Sequence, residues 1–561
     1  MSSASAFLQA RDFLIQHRDN YEVAYRDFQW PRLDNFNWAL DYFDVHARDN
    51  GRAALQIVDD AGATSQLSFA QASERSNRVA NFLRGLGVRR GDRVLVMLPN
   101  VVPLWELTLA IIKLGAVISP AATLMTRVEL EDRVDRGGMS YLVTDHARSV
   151  LCDGLKPQLG RIIVGGALSG WSDFALAQHC SADFRSDGET ASGDPLLLYF
   201  TSGTTAKAKM VVHTHASYPV GHLSTMYWLG LRPDDLHWNI SSPGWAKHAW
   251  SCFFGPWNAG AGVFIFEQAR FDARRTLDAI VRCGVTSLCA PPTVWRAFAL
   301  LDLASYPVKL REVLAAGEPL NPEIIDKVRN AWGLTIRDGY GQTETTCIIS
   351  NSPGQTVKPG SMGRPMPGYQ VVLLDAEGRE SQEGEVSVVL RPAPVAIMQG
   401  YAGDAERTAV ALGGAHYRTS DVAMKDAQGY YTFVGRTDDV FKSSGYRVSP
   451  FELESILIEH PSVAEAAVVP SPDPNRLAVP KGFVVLKPGV LPDAAAARAL
   501  FVFLKERVAP FKRIRRLQFS ELPKTISGKI RRVELRNTEA VRQASGQRDP
   551  AEFWDEDFKD L

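Results

Sequence analysis

Apolar positions along this chain fall into two alternating rhythms, one with helical spacing and one of short unbroken runs. Ser68 and Gln71 stand three apart as a capping box; Val79, Phe82, Leu83 and Leu86 then share one helical face, and Gly87 follows. Residues 93–98 read as a buried strand, 104–114 as an apolar helix ended by Gly115, and 116–118 as another short apolar run. Similar apolar runs return at 196–200, 262–266 and 286–289. Strands alternating with helices predict an α/β fold, with parallel sheets covered by helices over roughly the first 430 residues.

The texture changes near Gly435, where a charged stretch runs to Gly445. Beyond it Ser449, Pro450 and Glu452 make a helix start with proline in the first turn. Strands at 463–469 and 482–486, a helix at 493–508 and a strand at 514–519 complete a small α+β unit. The expected division is a large N-terminal domain of helix-covered, mainly parallel sheets over 1–437 and a small α+β C-terminal domain over 438–561. Residues 546–561 are acidic with two phenylalanines and a tryptophan, and fit either a docked or a frayed tail.

Composition narrows the classes. With 45% hydrophobic and 22% charged residues the chain is neither disordered nor fibrous. Lysine and arginine total 62 against 63 acids, so no overall field steers it to nucleic acid or to an anionic membrane, and a polyanionic ligand must be held locally. The six cysteines form no CxxC pair, which suits a reducing compartment. Arg11, Asp12 and Asp19 interrupt the start where a secretory signal would be apolar, and the run 107–118 is broken by Lys113 and too short to span a bilayer. A cytoplasmic protein without membrane or nucleic-acid partners is expected, with a homo-oligomer allowed.

Local chemistry is densest at Tyr199-Phe-Thr-Ser-Gly-Thr-Thr-Ala-Lys-Ala-Lys-Met210, a strand entering a hydroxyl-rich loop with two lysines. Hydroxyls, free backbone N–H groups and lysine charge suit a triphosphate. It is not a Walker A loop, which would need glycine at Ala208 and a hydroxyl at Met210. Taken alone, the segment also reads as a solvated Ser/Thr turn. It is followed in order by Gly317-Glu-Pro319, Asp338-Gly-Tyr-Gly-Gln-Thr-Glu344, Tyr417-Arg-Thr-Ser-Asp421, Gly435-Arg-Thr-Asp-Asp439 and Pro523-Lys-Thr-Ile-Ser-Gly-Lys529.

That order of six motifs resembles the adenylate-forming superfamily of acyl-CoA synthetases, adenylation domains and luciferases, most closely its medium-chain acyl-CoA synthetases. The resemblance implies ATP, Mg²⁺ and coenzyme A as ligands. It puts Thr201, Ser202, Gly203, Thr204, Thr205 and Lys209 on the β- and γ-phosphates. Gly317, Glu318 and Pro319 would line the adenine, and Asp338, Gly339, Tyr340, Gly341, Gln342 and Thr343 the other side of the nucleotide, with Thr343 near the α-phosphate. Glu344 is the implied Mg²⁺ ligand, a hard carboxylate oxygen of the kind Mg²⁺ prefers. Asp421 and Arg436 would hold the ribose hydroxyls.

Lys529 is the implied catalytic cation. Carboxylate attack on phosphorus brings negative charge together, and a fixed ammonium lowers that barrier. The resemblance further implies a mobile C-terminal domain rotating about Asp438, withdrawing Lys529 and presenting Ser444-Gly-Tyr-Arg447, where Gly445 lets pantetheine pass and Arg447 meets phosphate. Hinge residues need only absorb a change in φ and ψ. Ala206 and Ala208 replace the commoner glycine and proline, which bears on nucleotide affinity. Lys529 on its loop is also a candidate for a lysine acetyltransferase, since acetylation removes the charge.

The expected reaction is synthesis of an acyl-adenylate and then of acyl-CoA, releasing pyrophosphate and AMP. Loading of a carrier protein in trans and a catalytically inactive nucleotide-binding regulator are the alternatives. Small-acid members carry tryptophan where Gly341 stands, so glycine is expected to leave that volume open to a medium-chain, branched or aryl acid. Trp245 is the expected aromatic wall, and Lys247 or His248 the groups for a polar substituent. His213 and His215 lack a third ligand at metal spacing. The cluster Lys512, Arg513, Arg515 and Arg516 reads as a solvated face or as a contact for a coenzyme A phosphate.

Overall fold

The Ser68 hydroxyl accepts the Gln71 N–H at 3.1 Å and the Gln71 side chain accepts the Ser68 N–H at 2.9 Å. This box starts the helix Phe69–Gly85, and Gly87 leaves it at φ 97°. The apolar helix forms over Val102–Lys113 with Pro103 in its first turn, between the parallel strands Arg93–Met97 and Val117–Pro120. Its two buried charges are met. Lys113 Nζ lies 2.7 Å from Asp44 and Glu106 Oε1 2.5 Å from Arg75, which is what lets charge sit inside an apolar run.

The protein is described here by a computed structural model covering residues 2–561 except Pro157, Pro319, Gln547 and the segments 202–207, 444–445, 474–476, 525–529 and 559–561. Lys442, Tyr446, Arg447, Leu477 and Phe511 are described through their backbone alone. By internal contacts the chain divides into two units, one of Met1–Val371, Val388–Tyr417 and Gln428–Tyr431, the other of Val372–Ser387, Arg418–Ala427 and Thr432–Leu561.

Among the described residues the first unit carries two large sheets. One runs in the order Arg364–Pro365, Cys347–Ser350, Arg337–Gly341, Glu312–Ala316, Ser287–Ala290, Leu236–Asn239, Gly262–Phe266, Ala53–Val58, Thr64–Ser68. The other runs Gly400–Tyr401, Lys209–Thr214, Pro195–Thr201, Val117–Pro120, Arg93–Met97, Tyr141–Asp145, Gly160–Val164, Ser172–Asp173. Both are parallel through their middles, as helix-covered sheets should be. The alternation of strand and helix breaks at two of the expected motifs. Pro195–Thr201 returns directly as the antiparallel strand Lys209–Thr214, and Arg337–Gly341 as Cys347–Ser350.

The second unit holds most of a four-stranded sheet in the order Val371–Leu374, Glu383–Val389, His416–Lys425, Tyr431–Arg436. It also holds the sheet Val463–Asp473, Leu477–Leu486, Arg516–Phe519, Glu552–Trp554, packed by helices Pro450–Glu459 and Ala494–Lys505. Ser449 caps the first of these helices, accepting the Glu452 N–H at 3.1 Å. The acidic tail is docked. Glu552–Trp554 pairs antiparallel with Arg516–Phe519, the Phe553 ring lies 5.7 Å from Phe519, and Phe558 lies 5.8 Å from Phe501.

Beneath the tail, fully buried Lys481 reaches Glu539 at 2.6 Å and Glu552 at 3.0 Å. Ser471 bonds both Glu539 and Arg516, and Arg516 also lies 3.6 Å from Asp473, so the buried carboxylates share two cations in one interior cluster. Among the described residues no helix is long and apolar enough to cross a membrane.

Candidate functional site

The hairpin Pro195–Thr201/Lys209–Thr214 puts Thr201 directly opposite Lys209, and the short strand Gly400–Tyr401 adds beyond it. Register then sets Tyr401 beside Val211. Lys209 Nζ lies 5.5 Å from the centre of the Tyr401 ring, and the Tyr401 hydroxyl donates to Glu344 Oε1 at 3.1 Å. One tyrosine therefore joins two expected site residues whose motifs lie far apart in sequence. Burial, then the neighbouring Glu344 carboxylate, holds the phenol proton above its usual range, so the hydroxyl stays a donor. Nothing in the local sequence around Tyr401 marks it. Ser202, Gly203, Thr204, Thr205, Ala206, Pro319, Ser444, Gly445 and Lys529 lie outside the described residues, as does the side chain of Arg447.

The strand Glu312–Ala316 ends at Gly317, whose φ of 102° only glycine adopts without strain. Glu318 follows, 3.6 Å from Arg296. On the adjacent strand Arg337–Gly341, Asp338 accepts the Gly339 N–H at 2.9 Å. Its carboxyl is pushed up to about 8 by burial, against the opposing pull of that hydrogen bond and of Lys247. Lys247 Nζ donates to the Ala316 carbonyl at 2.9 Å, while His248 is buried on Asn100 at 2.9 Å. Of that pair Lys247 is the one beside the expected nucleotide motifs.

Downstream of Gly341 the backbone is held carbonyl by carbonyl. The Gln342 carbonyl accepts the Thr345 N–H at 3.1 Å, the Thr343 carbonyl faces His213 Nε2 at 2.7 Å, and the Glu344 carbonyl accepts the Met398 N–H at 2.9 Å. The Gln342 side chain accepts from the Tyr417 hydroxyl at 2.8 Å. Tyr340 is paired with Ile349, and the register slips between Tyr340 and Gly341.

That slip corrects one expectation. The volume at Gly341 is not open: a β-carbon there would meet the Thr346 carbonyl oxygen at 2.0 Å and the Trp250 ring at 2.8 Å. Glycine stands at 341 because the backbone doubles back against it, and the space beside it is filled from another element. Trp250 is buried and its Nε1 donates to the Tyr218 hydroxyl at 3.1 Å. Trp245 stands at the N-cap of the short helix Ala246–Ala249. The histidine pair also resolves. Both ring nitrogens of His213 are engaged, by Ser217 and by the Thr343 carbonyl, and burial keeps His213 and His215 neutral with pKa values of about 4.

In the second unit Arg436 lies 3.5 Å from both Asp421 and Asp438. Ser420 before Asp421 takes a left-handed φ of 61°, uncommon for a non-glycine residue, and is held there at both peptide groups. Its N–H donates to Glu385 at 2.8 Å and its carbonyl accepts the Thr437 N–H at 2.9 Å. This ties the Asp421 motif to the Arg436 motif. The basic cluster is largely committed: Lys512 to Glu452 at 2.7 Å, Arg515 to Asp555 at 2.6 Å, and Arg516 to the interior. The chain flanking 525–529 is closed by a bridge between Lys524 and Ile530 and by the Arg531 N–H on the Pro523 carbonyl at 2.8 Å.

Among the described residues no group of three or more His, Cys, Asp or Glu could hold a metal ion. Glu344 is a single buried carboxylate with Tyr401 on one oxygen. A donor set of one hard oxygen fits Mg²⁺, which keeps several waters and takes further oxygens from substrate phosphates.

Two family models match the chain, an AMP-binding enzyme over residues 43–402 and an AMP-binding enzyme C-terminal domain over 452–529. A 4-hydroxybutyrate–CoA ligase of Metallosphaera sedula is 43% identical over 528 residues, 92% of this chain and 93% of the relative. The mitochondrial acyl-coenzyme A synthetase ACSM3 of Rattus norvegicus is 37% identical, covering 94% of this chain and 95% of its own length. Among solved structures, an anthranilate CoA ligase in complex with anthranoyl-AMP superimposes with a TM-score of 0.83 at 30% identity, over 91% of this chain and 98% of that one.

Proposed function

Since the chain belongs to the AMP-binding enzyme family, we propose that it is an ATP-dependent, AMP-forming acid–CoA ligase acting on a medium-chain, branched or aryl carboxylic acid. The observation that carries this reading is Tyr401, which sets Lys209 and the Glu344 carboxylate on one ring. A cation for phosphate and a carboxylate for its metal then share one support. A relative named for 4-hydroxybutyrate and a structural neighbour named for anthranilate add short hydroxy acids and aryl acids to the classes worth testing.

In this reading Thr201 to Thr205 and Lys209 hold the β- and γ-phosphates, and Gly317 to Pro319 with Asp338 to Gln342 flank the base. Thr343 meets the α-phosphate, and Asp421 and Arg436 meet the ribose. Glu344 holds Mg²⁺, which when bound neutralises phosphate charge. A carboxylate oxygen of the acid bonds to the α-phosphorus as the bond to pyrophosphate breaks, and Lys529 bridges the two groups of negative charge. The coenzyme A sulfur, its proton lost to solvent, then bonds the acyl carbon as AMP leaves. Asp438 is the hinge between the two steps, with Ser444, Gly445 and Arg447 along the thiol path.

Carboxylate-dependent exchange of pyrophosphate into ATP tests the reading, with AMP release screened over many acids. Lys529→Ala should lower exchange about 10²- to 10³-fold while acyl-CoA still forms from supplied acyl-AMP. Equal loss of both steps would remove the lysine's role, and no exchange with any acid would remove the function. Acetylated Lys529 should behave as the alanine variant, and full activity of a fully acetylated sample would exclude that switch.

A further inference from the structure

His213 belongs to no motif of the proposed reaction, yet it sits where two of them meet. It lies on the strand Lys209–Thr214, whose first residue is the phosphate lysine, and it is fully buried. Its Nε2 faces the Thr343 carbonyl at 2.7 Å, its Nδ1 faces the Ser217 hydroxyl at 2.9 Å, and that hydroxyl oxygen already accepts the Thr214 N–H at 2.8 Å. A carbonyl can only accept, so Nε2 carries the proton; the Ser217 oxygen then donates its own hydrogen to Nδ1. The ring is packed against Tyr218 with centroids 4.5 Å apart, and Tyr218 is held in turn by Trp250. Both the tautomer and the tilt of the imidazole are therefore set by neighbours.

What His213 grips is the peptide plane between Thr343 and Glu344. That plane's orientation decides where the Thr343 and Glu344 side chains point, toward the α-phosphate and the metal in the reading above. The flanking carbonyls of Gln342 and Glu344 are bonded to backbone N–H groups, whereas among the described residues the Thr343 carbonyl is met by this side chain. We propose that neutral His213 is a positioning residue for adenylate formation, fixing the Thr343–Glu344 peptide to the strand that begins at Lys209. A protonated ring would lose the Nδ1 acceptor for the Ser217 hydroxyl while keeping the Nε2 donor; burial holds the group near 4, so the Ser217 bond that sets the ring persists through the physiological range.

The proposal rests on the assignment of Thr343 and Glu344 to ATP and Mg²⁺, and its test is read on full-length protein. His213→Phe keeps a flat ring against Tyr218 and loses both hydrogen bonds, while His213→Gln restores a donor near the Nε2 position. The phenylalanine variant should lose about 10- to 100-fold in kcat for pyrophosphate exchange, with acyl-CoA formation from supplied acyl-AMP within about twofold of the unmutated protein. The glutamine variant should recover most of the exchange.

Unchanged exchange in folded His213→Phe, equal loss of both steps, or no recovery with glutamine would overturn it. Should His213→Phe fail to fold, Ser217→Ala frees Nδ1 and should lower exchange alone by several-fold; no change there also overturns the proposal. Failure of the functional reading itself would show differently, as absence of exchange in the unmutated protein with every acid.

Discussion

Trp250 lies against the α-carbon of Gly341, its ring 2.8 Å from where a β-carbon would stand. Tryptophan therefore borders this position after all, delivered from the π-helical turn Trp250–Phe254 rather than from the strand itself. Single π-turns inside α-helical segments recur at functional sites, where an extra residue re-aims a side chain. If the acyl chain runs past Gly341, Trp250 is the side chain that ends it.

Trp250→Leu should then shift the preferred acid toward longer chains. The kcat/KM for an acid two carbons beyond the unmutated optimum should rise relative to that optimum by about 10-fold, the scale of one or two methylenes. A parallel fall for every acid would mean that Trp250 merely supports the fold. Gly341→Ala should destabilise by about 1–3 kcal/mol through overpacking on Thr346, read as a lower denaturant midpoint.

Asp338 makes stability depend on pH. Its carboxyl titrates near 8 in the fold against 3.8 for the free group, so the folded state holds the proton more tightly. The stabilisation linked to that proton is complete below the unfolded value and is lost as pH rises from about 4 through about 8. Asp338→Asn cannot titrate there and should gain stability relative to the unmutated chain at about pH 8–9. Urea midpoints from about pH 5 to about pH 9 check this, since the two profiles should diverge between the unfolded and folded values, and parallel profiles over that window would refute it.

Lys481 holds two buried carboxylates, one from the helix Arg532–Ser545 that follows the 525–529 segment and one from the C-terminal strand. Lys481→Met removes the direct ion-pair partner of both and should cost the second unit about 3–5 kcal/mol. Hydrogen exchange localised to Arg532–Ser545 and Glu552–Trp554 would report it. A loss under about 1 kcal/mol would show that the cluster relaxes or hydrates instead.

Much of this molecule is legible along the chain because much of it is local. The capping box at Ser68, the proline-started helix after Ser449 and the apolar strands depend on neighbours within a turn or on period, and they form within a few residues of the expected bounds. The ordered motifs also survive as order, since loops at strand ends must appear in chain sequence. Pairing partners are different. Whether the acidic tail docks depends on a free edge at Arg516–Phe519 and on Lys481 beneath it, which no tail residue encodes.

The amino-acid sequence by itself determined the alternating architecture, a property of spacing and residue type, and carried the resemblance to the family in the order of its motifs. Only the tertiary structure decided that Tyr401 joins Lys209 to Glu344, that His213 serves the Thr343 carbonyl, and that Trp250 fills the space at Gly341. Each is a contact between segments remote along the chain. Such contacts follow from strand register and from which backbone groups burial leaves in need of a partner, and both exist only once the sheets have assembled.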